Sequence, residues 1–401
     1  MKSTKLVDNA AMPDLSRRQA LQLAAAGAGA LALGRPALAR AGAPAIVKPL
    51  PPEWFIDYGT NAEMRWEAMQ GQPYLVSNER FFVRNHTATP AIDMEAYRLA
   101  LSGSGLRRGP VSFSLAELER MPARTITSAI ECAGNGRSYF GSVQGTPVSG
   151  TQWKLGAIGV ARWRGVPLSE VLDRAGLSRH AVSVMPQGLD AEVVANGANQ
   201  GHVRRPLPIA KALDDALLAY EMNGRDLPPD HGAPLRLVVP GWVGVASIKW
   251  VGSIEVSRTP QQSFWNTAQY RMVGPHYPAD SPPLGVQPVK SAFELAQGAT
   301  LPAGRRTTVT GRSWSGRAPI ARVDVSTDGG RTWHRARPRG ANREHAWQRW
   351  AFDWTPKHPG ERALIARAAD ERGHVQPDAV PFNTGGYQFW ATIRHPVHVA
   401  G

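Results

Sequence analysis

Thr125-Ile126-Thr127-Ser128-Ala129-Ile130-Glu131-Cys132-Ala133-Gly134-Asn135-Gly136-Arg137 carries the fold's main signal. Residues 125–130 alternate polar and apolar side chains, the period of a strand with one buried face. Gly134, Asn135 and Gly136 then let the backbone turn tightly. Cys132 therefore stands at a strand end. It is the single cysteine in 401 residues, so no intramolecular disulfide is open to it, and it is either a packed structural thiol or a group with chemistry. Successive N–H groups of the turn, with the Arg137 guanidinium close behind, would favour the thiolate, a soft ligand for metals.

Working outward, Ser114-Leu115-Ala116-Glu117 reads as a capping box that opens a helix, and residues 167–175 as a second helix closed by Gly176. Residues 235–239 and 246–256 are β-branched runs typical of buried strands. These elements predict an α+β domain over residues 50–280. The Pro-rich stretch at 275–284 reads as a linker. Beyond it, strand-like runs recur at 306–312, 320–327, 331–337, 347–353 and 362–369 with turns between them. That spacing predicts an all-β, immunoglobulin-like sandwich over residues 286–401. Ser326-Thr327-Asp328-Gly329-Gly330-Arg331-Thr332-Trp333 has the form of a propeller-blade hairpin, but it occurs once and reads as a tight turn in the sandwich.

The chain starts with an export signature. Ser16-Arg17-Arg18 precedes an apolar Ala/Gly/Leu stretch and the cleavage pattern Ala37-Leu38-Ala39, which predicts a twin-arginine signal peptide over residues 1–39 and a periplasmic protein. That route carries folded proteins, which suits a preloaded cofactor. No segment approaches the roughly 20 apolar residues of a membrane helix, so no membrane span is expected. The formal charge is +14, with the arginines scattered rather than gathered into a stripe. This argues against nucleic acid and for small anionic substrates or an acidic partner. Haem is not expected in this chain: one cysteine cannot make C-x-x-C-H, and His358-Pro359-Gly360 is followed by Glu361 rather than a second glycine.

Five motifs appear in order: Phe81-Phe82-Val83-Arg84-Asn85-His86, Glu131 to Arg137, Leu218-Ala219-Tyr220-Glu221-Met222-Asn223-Gly224, Asp230-His231-Gly232-Ala233-Pro234-Leu235-Arg236, and Ser247-Ile248-Lys249-Trp250. Together they resemble the sulfite oxidase family of molybdopterin enzymes, in particular its bacterial periplasmic sulfite dehydrogenases and sulfane dehydrogenase subunits. The resemblance covers nearly all of the mature chain, since the sandwich is similar to that family's dimerisation domain down to Asp328-Gly329-Gly330 and Asn383-Thr384-Gly385-Gly386-Tyr387.

The resemblance implies that Cys132 is the protein's one ligand to molybdenum, beside the dithiolene of a molybdopterin. It implies that Phe82, Asn85, His86, Asp190, His231, Arg236, Ser247, Ile248 and Lys249 hold the pterin, and that Arg84 and Arg137 bind a small oxyanion such as sulfite. Cations and a hydroxyl suit a phosphate, a carboxylate suits ring N–H groups, and paired guanidinium donors suit an oxyanion. The implied reaction is oxygen-atom transfer to sulfite, with electrons leaving to an external c-type cytochrome or a haem subunit, in a homodimer. The family's active-site tyrosine is expected shortly before Pro206-Leu207-Pro208, where the chain has His202 and Val203 instead. His202 is thus the candidate for that contact. A further family arginine falls near Gly385. Three other readings remain: a sulfane dehydrogenase subunit acting on protein-bound sulfur, a sulfoxide reductase, which residues 306–399 argue against, and a secreted binding protein without catalysis.

Overall fold

In the computed structural model, residues 45–401 are described, except Asn196. The expected signal peptide, residues 1–39, lies outside the described residues. The strand that leads to Cys132 is Arg124–Glu131, and it pairs antiparallel with Ile158–Pro167 along its whole length, Glu131 opposite Ile158. Leu217–Met222 pairs on the other side of Ile158–Pro167 through a bulge between Ala219 and Glu221, and Arg236–Val238 pairs with Leu217–Met222. Val160, Ala161, Trp163 and Val166 are fully buried in this sheet.

A second, five-stranded sheet holds Leu207–Pro208, Ser183–Gly188, Val251–Ser257, Arg98–Ser102 and Val111–Ser114 in that spatial order. Only the pairing of Val251–Ser257 with Arg98–Ser102 is parallel. Helices are short and follow the expected caps. In Leu115–Glu119 the Glu117 amide donates to Ser114 Oγ at 3.2 Å, while the Ser114 amide donates to the Glu117 carboxylate at 2.8 Å. Leu168–Arg174 ends before Gly176, whose φ of +84° completes the helix stop.

The run 246–256 is not one strand. Regular pairing begins only at Val251; Gly244–Ala246 is a 3-10 turn, and Trp250 has φ +53°. Ser247 Oγ accepts the Val239 amide at 3.0 Å, so a side chain takes the place of a ladder carbonyl and the segment stays irregular. The run at 235–239 shortens to Arg236–Val238 for the same reason.

From residue 290 onward two sheets pack face to face. One orders Lys290–Phe293, Thr307–Trp314, Trp347–Trp354 and Arg337–Asn342; the other orders Ala299–Pro302, His395–Ala400, Gly360–Asp370, Ile320–Ser326 and His334–Arg335. Val309, Val323, Val325, Trp350, Leu364 and Val397 form their shared core. The expected strand at 331–337 is split: only His334–Arg335 pairs in one sheet, and Arg337 opens the strand Arg337–Asn342 of the other. Asp328 explains this: its carboxylate accepts Thr332 Oγ1 at 2.6 Å and the amides of Arg331 and Thr332 at 3.0 and 2.9 Å, which keeps those residues in the turn. These hydrogen bonds, Thr332 first, hold the Asp328 carboxyl below the usual carboxylate range.

The Pro-rich stretch is folded back rather than free. Arg271 donates to the carbonyls of Ser281 and Ala279 at 2.6 and 2.9 Å, and the Leu284 amide donates to the Tyr270 carbonyl at 2.7 Å. Nor do the two regions keep separate cores. Trp314 and Trp347, from the sandwich, belong to the same buried cluster as Trp66, Phe81 and Cys132, with the Trp66 and Trp314 rings stacked at 5.8 Å. Among the described residues, no helix is long and apolar enough to cross a membrane.

Candidate active site

Cys132 follows directly on the strand, and its amide donates to the Ala157 carbonyl at 2.9 Å. The turn behind it closes through Asn135 N to Cys132 O and Arg137 N to Gly134 O, both 2.9 Å, with Gly136 at φ +95°. A Cβ on Gly136 would also stand 3.1 Å from Phe389 Cβ, so only glycine combines this φ with this approach.

The cation beside the sulfur is not Arg137, as the sequence suggests. The Arg137 guanidinium donates to the carbonyls of Thr151 and Gly385 at 3.2 and 2.9 Å and lies 5.7 Å from the Tyr387 ring centre. Arg84 takes that place. Burial works against its charge, but the neighbouring Tyr270 and Cys132 side chains hold the guanidinium above its ordinary value.

Eleven of the expected residues line one pocket: Phe82, Arg84, Asn85, His86, Cys132, Asp190, His231, Arg236, Ser247, Ile248 and Lys249. Arg137 is not among the lining residues. His202 lies outside: its Nδ1 meets the Asp190 carbonyl at 2.6 Å, its Nε2 is 3.9 Å from Glu192, and it is partly exposed. The phenol is supplied instead by Tyr270, whose hydroxyl is 3.3 Å from Arg84 Nη2 and 3.0 Å from His86 Nε2. Arg84 can only donate, so the Tyr270 oxygen accepts from it and its hydrogen is left for His86. Burial, chiefly, keeps the His86 ring neutral, which suits that acceptor role. Sequence reasoning missed Tyr270 because it lies far along the chain from Pro206, in an irregular segment with no periodic signal.

The rear of the pocket is cationic and short of counter-charge. Arg236 donates to the carbonyls of His231 and Ser247 at 2.9 and 3.2 Å, and its buried Nε has no partner. Lys249 Nζ donates to the Asp230 carbonyl at 2.8 Å and to Asn85 Oδ1. Burial, and then the Arg236 guanidinium, hold Lys249 well below its usual value; burial brings Arg236 down to about 9. Two enclosed cations satisfied mainly by carbonyls, with a donor to spare, fit a phosphate. Gly232, at φ +114°, lets them meet: a Cβ there would be 2.9 Å from Arg236 Cβ and 3.1 Å from Lys249 Cβ. His231 sits beneath them, neutral through burial, its Nε2 3.1 Å from the Asn78 carbonyl. Across the pocket, burial pushes the Asp190 carboxyl up to about 6.

Among the described residues, no group of three His, Cys, Asp or Glu side chains could hold a metal ion. A metal at Cys132 must therefore bring its other ligands with it. One soft sulfur, a phosphate-ready rear wall and a carboxyl facing inward fit a metal carried on a phosphorylated organic ligand.

Comparison with known proteins accords with this geometry. Residues 86–265 match the oxidoreductase molybdopterin binding domain, and residues 287–399 match the Mo-co oxidoreductase dimerisation domain. The chain thus belongs to the molybdopterin oxidoreductases, and within them to the sulfite oxidase family. It is 40% identical to sulfite oxidase of Gallus gallus over 80% of this chain and 72% of that one, and 31% identical to sulfite oxidase of Arabidopsis thaliana over 77% and 83%. Against the mitochondrial sulfite oxidase of Mus musculus it is 36% identical, and spans 61% of that protein's length. Among solved structures, the sulfane dehydrogenase SoxCD from Paracoccus pantotrophus superposes with a TM-score of 0.72 at 29% identity, covering 87% of each chain.

Proposed function

We propose that this protein is a periplasmic molybdenum enzyme that oxidises sulfite to sulfate and passes the electrons to an external c-type cytochrome. The observation that carries this reading is the meeting of Cys132 sulfur, Arg84 guanidinium and Tyr270 phenol beside a cationic pocket. Arg236, Lys249, His231 and Ser247 would hold the cofactor's phosphate, Asp190 and Asn85 its ring, and Cys132 the metal. The bound molybdenum cofactor supplies the oxygen-atom transfer and the two-electron redox step.

The rest falls to the chain. Arg84 orients the oxyanion and offsets its charge, while Tyr270, accepting from Arg84 and donating to neutral His86, holds the guanidinium in place. Burial of the surrounding aromatic rings excludes water and strengthens each of these contacts. The dimerisation-domain match and the immunoglobulin-like form of the sandwich support a homodimer. The twin-arginine pattern supports the location.

The likeness to SoxCD favours one second reading, oxidation of protein-bound sulfur with a haem partner. Protein purified from a host that makes the cofactor is expected to hold about one molybdenum per chain and to reduce cytochrome c with sulfite. Protein without molybdenum from such a host would refute both enzyme readings; a loaded protein inert toward sulfite selects the second. Within the first reading, Arg84→Gln is expected to raise KM for sulfite about 10- to 100-fold, the worth of a charged hydrogen bond, with a smaller fall in kcat. An unchanged KM removes Arg84 from the anion site.

A further inference from the structure

Arg205 is 1% exposed, and its hydrogen-bonding side-chain contacts are with main-chain carbonyls. Nη1 donates to Trp265 O at 2.9 Å and Nη2 to Leu284 O, while Nε has no partner. Burial brings Arg205 down to about 10, against the smaller opposing effect of the Tyr270 and Tyr387 phenols. A cation kept this far from water with no carboxylate beside it is costly, so a specific use for it is to be sought.

Its two anchors bracket Tyr270. Between Trp265 and Leu284 the chain has little regular structure beyond the single turn Phe264–Thr267. Tyr270 itself has φ +55°, a conformation that a bulky side chain adopts only when its surroundings force it. Those surroundings converge on Arg205. The Leu284 amide, one residue-length from the bridged carbonyl, donates to Tyr270 O at 2.7 Å. The Trp265 indole donates to His202 O at 2.8 Å, and its ring centre lies 6.3 Å from that of Tyr270 and 4.5 Å from that of His86. Ser263 Oγ ties the same segment to Arg204 O at 3.0 Å. Tyr387 stacks on the outer face of Tyr270 at 5.1 Å.

We propose that Arg205 is a positioning residue: by bridging Trp265 O and Leu284 O it locks the strained Tyr270 backbone and so aims the phenol at Arg84 and the anion pocket. This role rests on the reading of that pocket as an oxyanion site, but not on sulfite as its substrate.

A double-mutant cycle in the molybdenum-loaded protein tests it, using sulfate binding by calorimetry and kcat/KM with sulfite. Arg205→Met is expected to weaken sulfate binding and lower kcat/KM by about 10-fold, and by less than about 2-fold when Tyr270 is already phenylalanine, because residues acting through one another are not additive. Arg205→Lys, which keeps charge and donors, should recover most of the loss, and Arg205→Gln, which cannot bridge both carbonyls, carries the cycle if the methionine variant fails to fold. Equal losses in both backgrounds would mean that Arg205 serves the fold alone and would overturn the proposal. A crystal structure of Arg205→Met or Arg205→Gln decides independently of ligand: an unmoved Tyr270, still at φ near +55° and 3.3 Å from Arg84, also overturns it. A protein that shows the sulfate cycle but does not oxidise sulfite would cost the substrate assignment and leave Arg205 in place.

Discussion

Cys132→Ser is expected to give a folded protein that retains its pterin and turns over more than about 100-fold more slowly, because a hydroxyl is a harder and far less acidic ligand than a thiol. The fold should survive the change. Serine is nearly isosteric, and the Cys132 amide keeps its bond to the Ala157 carbonyl whatever the side chain. Pterin should remain because the residues proposed to grip its phosphate, Arg236 and Lys249, belong to other segments than the Cys132 turn. Molybdenum and pterin content, measured beside turnover, check each part. Full activity in the serine variant would remove Cys132 from the metal.

The second large effect is on stability. Lys290, from the first strand of the sandwich, pairs with Glu131 at 2.8 Å, and each side chain is 2% exposed. Its ammonium also donates to Asn135 O at 2.8 Å. The Glu131 carboxylate further accepts the Trp314 indole at 3.1 Å and Asn135 Nδ2 at 2.8 Å. Lys290→Met leaves that carboxylate buried without its counter-ion, which costs about 3–5 kcal/mol. Glu131→Gln combined with Lys290→Met should recover part of the loss, since no lone charge remains inside. Urea unfolding of the two variants checks this, and a loss below about 1 kcal/mol for Lys290→Met would show that water or a shifted neighbour meets Glu131.

Much of this was legible in the chain. The alternation at 125–130, the glycines after Cys132 and the cap at Ser114 are local signals, and the structure keeps them. Ten of the eleven pocket residues lie in the ordered motifs, each of which is contiguous; Asp190 lies outside them. What escaped depends on contacts between distant segments. Tyr270 reaches Arg84 across 186 positions, and Lys290 reaches Glu131's turn at Asn135 across 155, with nothing periodic to announce either. Residues 247–250 and 331–333 look like strand by composition, but the Ser247 and Asp328 side chains bond the backbone locally and outcompete the ladder. The placement of His202 failed for a related reason: nearness in sequence to Pro206 stood in for nearness to Arg84.

The Lys290–Glu131–Trp314 contact also sets an order of events during synthesis. The turn that presents Cys132 is made early, yet its buried carboxylate has no ammonium until residue 290 exists and no indole until residue 314. A nascent chain that stops short of the sandwich carries every motif residue of the pocket and still lacks the side chains that brace the Cys132 turn. The first domain's central turn is therefore finished by the second, so a chain cut before residue 290 is expected to hold that turn less firmly than the full chain.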